Sequence, residues 1–238
     1  MRLATSIACV TIVLLCCDPA EASVLRTVED GQVDHDIDNG IFSVSQVDLQ
    51  VLPNVSTIPS PPQESQVILE FDLSSIGSRT ITDATLRYFV AGTNGAFGAV
   101  RLETWFYDGN GIVDVGDFNA GIAQVGLFSW DSPSIGFPSP PVDEFVEFDV
   151  ADVLNNRTGD FAGFNLRLQG DSPDYGDNEF DAANPFRFLG IASDENDVNN
   201  GIFRPSLTIT SVPEPSASLV LFTTAAISTL SRRRHRLA

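Results

Sequence analysis

Hydrophobic and polar residues alternate along much of this chain, and a period of two predicts strands rather than helices. Val67, Leu69, Phe71 and Leu73 alternate with Ile68, Glu70 and Asp72, as in a strand with one buried face. Leu86, Tyr88 and Val90 continue the pattern. Val100, Leu102, Thr104 and Phe106 oppose Arg101, Glu103, Trp105 and Tyr107, and Val146, Phe148 and Val150 oppose Glu147 and Asp149. Further strands are expected over residues 161–168, 186–191 and 205–209. Near the start, Phe42 and Val44 hold even positions but Val47, Leu49 and Val51 odd ones, so a bulge near Ser45 and Gln46 is expected. Turn-rich stretches fall at 59–62, 92–98, 132–141, 170–181 and 194–201. No amphipathic helix of useful length appears, and residues 149–157 have room for a single helical turn. Roughly ten short strands with no helices between them predict an all-β chain, an antiparallel two-sheet sandwich of the jelly-roll kind. The similar pentapeptides DNGIF (38–42) and NNGIF (199–203) are read as shared hairpin chemistry, since Asn-Gly suits tight turns.

The two ends depart from this alternation. Residues 1–22 carry one early charge, Arg2, an apolar stretch over 7–17, and then Ala20-Glu21-Ala22, the three-part pattern of a secretory signal peptide cleaved after Ala22. Residues 212–238 carry Val212-Pro213-Glu214-Pro215, an apolar run over 217–230, and a basic cluster that includes Arg232, Arg233 and Arg234. The prolines keep helix out of the residues before the run. A short apolar helix is expected after them, with the arginines on the cytoplasmic side. Fourteen helical residues reach only about 21 Å against a hydrocarbon core of about 30 Å, which suits a transient stop better than a permanent anchor. In its order of motif, apolar run and arginine cluster, this tail resembles the PEP-CTERM sorting signal. The resemblance implies that an exosortase cuts near Pro213-Glu214-Pro215 and passes the chain to the cell surface or an extracellular polysaccharide matrix. An ordinary tail anchor is the plainer alternative. On this reading the chain touches a membrane only through residues 212–238 before processing.

The body between the signals, residues 23–211, forms one domain of a size that buries about 70% of its unfolded surface. All three cysteines, Cys9, Cys16 and Cys17, lie in the signal segment, so the body can form neither a disulfide nor a thiolate metal site. Of 32 acidic and 13 basic residues in the chain, 29 and 8 lie in the body, which is therefore near −21. There is no lysine. Such a field repels phosphate backbones, so nucleic-acid partners are not expected. It draws divalent cations and keeps an exported protein in solution.

A second resemblance concerns the framework strands. Residues 67–90 (VILEFDLSSIGSRTITDATLRYFV), 146–156 (VEFDVADVLNN) and 204–210 (RPSLTIT) are similar to DNRLRE-type surface domains, which implies a jelly roll related to carbohydrate-binding modules. No binding residue carries over from it.

Chemistry-bearing candidates are few. In FYDGNGIVDVGDF (106–118), Asp108, Asn110, Gly111, Asp114 and Asp117 fall on positions 3, 5, 6, 9 and 12 of a calcium loop, with Phe106 at position 1. Calcium held by Asp108, Asn110, Asp114 and Asp117 is one reading, and acidic residues closing turns on their own backbone is the other. Two more acidic clusters, 171–181 and Asp34/Asp36/Asp38, need either solvent or a counter-ion. Trp105 and Tyr107 share the face opposite Phe106 and form a candidate glycan platform, with Trp130, Phe137 and Tyr175 in expected loops. The alternatives are that Trp105 and Tyr107 belong to the core and Phe106 faces out, or that both faces are covered. His35 is the one histidine of the body and is read as a surface residue, and Glu70, Glu103 and Glu147 as solvated strand carboxylates. With one possible imidazole base and no cysteine, an enzyme is not expected. The expected function is a secreted structural or adhesive component of the envelope or polysaccharide matrix, handled by signal peptidase and exosortase during export. A carbohydrate-binding module, with or without calcium, is the alternative.

Overall fold

A computed structural model of the chain describes residues 20–36, 39–46, 49–57, 60–93, 99–131, 143–168, 189–193 and 201–212. The signal segment through residue 19, the tail from Pro213 onward, the acidic cluster 171–181, Asp38, Phe137 and Tyr175 lie outside the described residues. The described chain is all-β and antiparallel. Its strands are β1 (Glu21–Asp36), β2 (Ile41–Ser45), β3 (Gln50–Thr57), β4 (Ser60–Asp72), β5 (Thr80–Thr93), β6 (Ala99–Asp108), β7 (Ala123–Asp131), β8 (Asp143–Asp149), β9 (Phe161–Leu168), β10 (Leu189–Ile191) and β11 (Ser206–Val212). One short helix, α1 (Ala151–Asn155), occupies the stretch expected to hold a single turn.

These strands make one curled sheet, because β1 and β3 change partners along their length. The first six residues of β1 pair with β11, Glu21 opposite Ser211 and Arg26 opposite Ser206. From Thr27 onward β1 pairs with β4, and its last residues also pair with β2. β3 likewise joins β10 at its start and β4 further on. One limb of the curl runs β8, β5, β11, β1. The other runs β7, β6, β9, β4, β1, β2.

The alternation places the core as expected. Val67, Leu69 and Phe71 of β4, Leu73 just after it, Leu86, Tyr88 and Val90 of β5, and Leu102 and Phe106 of β6 form one buried cluster with Phe164, Leu166, Leu207 and Ile209. Across it the Tyr88 hydroxyl meets Thr104 Oγ1 at 2.9 Å, tying the limbs together. Phe148 of β8 lies on Gly126 of β7, where an added Cβ would stand 2.3 Å from the ring, so only glycine allows this closure. α1 is fastened by Asn155, whose side chain accepts from Ile81 N at 2.9 Å and donates to Ile81 O at 2.8 Å, as a neighbouring strand would.

Two expectations need correction. The change of parity near Ser45 is the end of β2 rather than a bulge within one strand, since β3 begins at Gln50. Trp130 belongs to β7, opposite Val100, and not to a loop. The hydrophobic pattern does not predict β1 or β7, because neither alternates cleanly: β1 buries Asp30, Gly31, Gln32 and Val33 in succession. The expected boundaries fall inside paired strands, Ala22 opposite Thr210 at one end and Val212 opposite Thr80 at the other.

Candidate functional site

The outer face of β4, β6 and β9 was expected to meet water, yet Ile68, Glu70, Glu103, Tyr107, Asn165 and Arg167 on that face are all buried. The cover is the segment 109–121, between β6 and β7, which folds back over the face. A second small core results from Val33, Ile68, Tyr107 and Val113, with Phe118 and Ala120 packed against it. Glycines make the close approach possible. A Cβ on Gly163 would enter the Tyr107 ring at 2.1 Å, one on Gly109 would meet the Glu70 carboxylate at 2.0 Å, and Gly111 takes φ +84, a left-handed conformation that suits glycine.

The acidic residues of this segment build its turns. Asp108 accepts from Thr158 N at 3.0 Å and from Thr158 Oγ1 at 2.6 Å. Asn110 Oδ1 accepts from Ile112 N at 2.8 Å. Asp114 caps a single 3-10 turn (Val115–Asp117) by accepting from Gly116 N at 2.6 Å, and Asp117 reciprocates by accepting from Asp114 N at 2.8 Å. The four residues matched to a calcium loop are thus engaged in different directions. Among the described residues no group of three or more acidic, histidine or cysteine side chains is placed to hold a metal ion. Asp34 accepts from Ser65 and Gln32, and Asp36 from Asn39, so hydrogen bonds serve these two members of the third acidic cluster.

Beneath the segment lies a polar network. The Tyr107 hydroxyl donates to Glu70 Oε1 at 2.6 Å, and Gly111 N donates to Glu70 Oε2 at 3.2 Å. Gln66 Oε1 accepts from Asn119 N at 2.9 Å and from Asn165 Nδ2 at 2.8 Å, while Asn165 Nδ2 also reaches Asp117 O at 2.9 Å. Gln66 Nε2 donates to Asn119 Oδ1 and Glu64 Oε1 at 2.7 and 2.8 Å. On the β1 side, Glu29 Oε2 takes Val113 N at 3.1 Å. β4, β9 and β1 therefore each hold the segment by side chains that substitute for a missing neighbouring strand.

Burial pushes the Glu70 carboxyl above its ordinary value, the Tyr107 and Gly111 donors oppose that, and the charge of Asp117 adds to it. Asp117 is raised too, first by burial, with its bond from Asp114 N opposing and the charges of Asp114 and Glu29 adding. The Tyr107 hydroxyl lies against both carboxylates and is pushed far up by burial and by their charge. Burial and neighbouring negative charge thus favour the protonated forms of both carboxyls. It offers neither an open nucleophile nor an imidazole beside one.

The aromatic pair shares the face opposite Phe106, as alternation requires, but it is no open platform. Tyr107 is buried. Trp105 is half-buried, its Nε1 donates to Glu103 Oε2 at 2.8 Å, and the Arg167 guanidinium lies 4.4 Å from its ring centroid. Glu103 and Arg167 are buried together at 3.9 Å. Glu70 and Glu103 are thus not solvated, while Glu147 is exposed and pairs with Arg87 at 3.2 Å. His35 stacks on Phe42 at 4.2 Å between centroids, with Phe118 edge-on to both rings. One hint of the cover is legible in the sequence, since Ile68 is apolar in an otherwise polar row; that Gly163 stands opposite both Glu70 and Tyr107 appears only in the strand register. No protein-family model matches the chain, and no curated protein sequence matches it.

Proposed function

We propose that this chain is an exported structural or adhesive domain of the cell envelope or extracellular polysaccharide matrix, sorted through its C-terminal segment. The supporting observation is the pairing of the first strand with the last. Ser23, the first residue left after cleavage at Ala22, stands opposite Ile209, so the signal segment and the sorting tail after β11 leave the domain side by side. In that arrangement one pole of the domain faces the membrane during export and the remainder projects away from it. We read the curled sheet as a two-sheet sandwich of jelly-roll type, and the covered acidic face as a packing device that needs no bound group. In the producing bacterium, replacing Pro213, Glu214 and Pro215 by alanine is expected to shift the protein from the surface and medium into the membrane fraction. An unchanged distribution between fractions would refute the sorting reading.

A further inference from the structure

An ion pair spans the exit of the last strand. Glu21 opens β1 opposite Ser211, and on the other side of β11 Val212 stands opposite Thr80 of β5. Glu21 and Arg79 therefore flank β11 at its end, and the Arg79 guanidinium reaches across to the Glu21 carboxylate. Because β11 runs antiparallel to β5, a continuation of the strand in the same direction passes Arg79 and then Ser78. Those residues line an open groove of about 570 Å³ together with Arg157, Thr158 and Asp160.

Arg79 differs from other arginines in what holds it. Arg26, Ser206, Arg87 and Glu147 share one row across β1, β11, β5 and β8, where Arg87 pairs with Glu147 and Arg26 donates to the Arg204 carbonyl. Arg157 is fixed in the groove by the Leu154 and Gly77 carbonyls. All of these partners belong to the body. The partner of Arg79 lies instead before the expected cut after Ala22. Cleavage takes Glu21 away and leaves two guanidiniums and one carboxylate, Asp160, among the residues lining the groove. Its charge then turns from balanced to positive, so the processed chain favours a further carboxylate there.

We propose that this groove is the docking site of Glu214 in the tail, opened when the signal segment is removed. Glu214 follows Val212 by two residues, a span of about 7 Å at roughly 3.3 Å per extended residue. That span carries the chain from Thr80 to the level of Ser78, beside Arg79. The flanking prolines suit the path, since neither has an N–H to satisfy and each keeps the residue before it extended. Arg79 then receives the Glu214 carboxylate in the fork that held Glu21. Glu21 and Glu214 compete for one guanidinium, so the tail docks only after the signal segment has gone. The order of events rests on the sorting reading above, whereas the contact itself needs no sorting enzyme.

The chain from Ser23 to Ala238 has no cysteine, so an engineered pair reports the contact cleanly. The test places Ser78→Cys and Pro215→Cys in that chain, purified in detergent, and measures the rate of disulfide formation under mild oxidation. Thr80→Cys with Val212→Cys is the positive control, since those residues already stand opposite each other. Glu214→Gln and Arg79→Gln should each slow the Ser78 to Pro215 cross-link about five-fold, the scale of one half-exposed ion pair. Exchanging the charges, Arg79→Glu with Glu214→Arg, should restore the rate. The uncleaved chain, with Cys9, Cys16 and Cys17 changed to serine, should cross-link as slowly as Arg79→Gln, and Glu21→Gln should release it. Thermal melts establish that each variant is folded. No cross-link beside a working control, an unchanged rate in Glu214→Gln, or equal rates in cleaved and uncleaved chains would overturn the docking. The sorting reading would still stand, because the fractionation of the Pro213, Glu214 and Pro215 variant tests it separately.

Discussion

The two outer faces of this sheet start from the same strand geometry and end in opposite states. Over β4, β6 and β9, a thirteen-residue segment covers the face and buries carboxylates beneath it. Over β5, β8, β11 and the start of β1, the described residues leave the face open and present arginines. The difference lies in the side chains each face offers. Gly163 and Gly31 open space for an overlying segment, and Gln66, Asn165 and Glu29 supply the hydrogen bonds that bind it. The other limb has threonines, arginines and a phenylalanine at the equivalent rows, and no such recess.

The strongest way to break the contrast is Gly163→Val. Its side chain cannot coexist with the Tyr107 ring, and the covered face should lose about 3–5 kcal/mol, the cost of losing a buried aromatic. Chemical denaturation measures it, and a loss under about 1 kcal/mol would mean that the ring moves aside freely. Tyr107→Phe is gentler. It leaves Glu70 Oε1 without its 2.6 Å donor and should cost about 1–3 kcal/mol.

Protonation sharpens the contrast next. Glu70 and Asp117 hold their protons more tightly in the folded state than in the unfolded chain. The stability they confer is therefore fully present below the ordinary carboxylate range and is lost as pH rises through the raised values. Wild-type stability should fall from pH 4 to pH 8, by about 1.4 kcal/mol for each tenfold gain in proton affinity on folding. Glu70→Gln should flatten that slope, and an equal slope in the variant would place the linkage elsewhere. Asp114→Ala, which removes the cap of the 3-10 turn, should cost about 1 kcal/mol. The smallest effect is reserved for calcium. Because Asp108, Asn110, Asp114 and Asp117 already serve backbone or Thr158 donors, millimolar calcium and chelator should give the same Tm. A rise with calcium would show that these oxygens can turn toward a common ion.

The core face was legible because it rests on period two alone: Val67 to Leu73 and Leu86 to Val90 alternate, and those residues are buried. The covered face was not, because a segment rich in Asp, Asn and Gly reads the same whether it projects into water or folds back. Glu70 illustrates the difficulty. Its position in the strand is identical in both cases, and only the distant Gly109 and Tyr107 decide whether it meets solvent. The Asp114 and Asp117 turn chemistry was one of two readings that spacing allowed. Arg26 and Arg87 carried no local motif at all, because sequence neighbours say nothing of rows that cross four strands.

The pairing of Ser23 with Ile209 joins positions 186 residues apart. Contacts of such separation make folding slow, since loop entropy is lost before they form. Under the export reading proposed above, β1 would leave the channel first and β11 last, so the first strand would travel without its final neighbour until nearly the whole chain had crossed. Closure of the sheet would then report that translocation is complete, and a processing enzyme that favours an unpaired β11 would have only that interval in which to act.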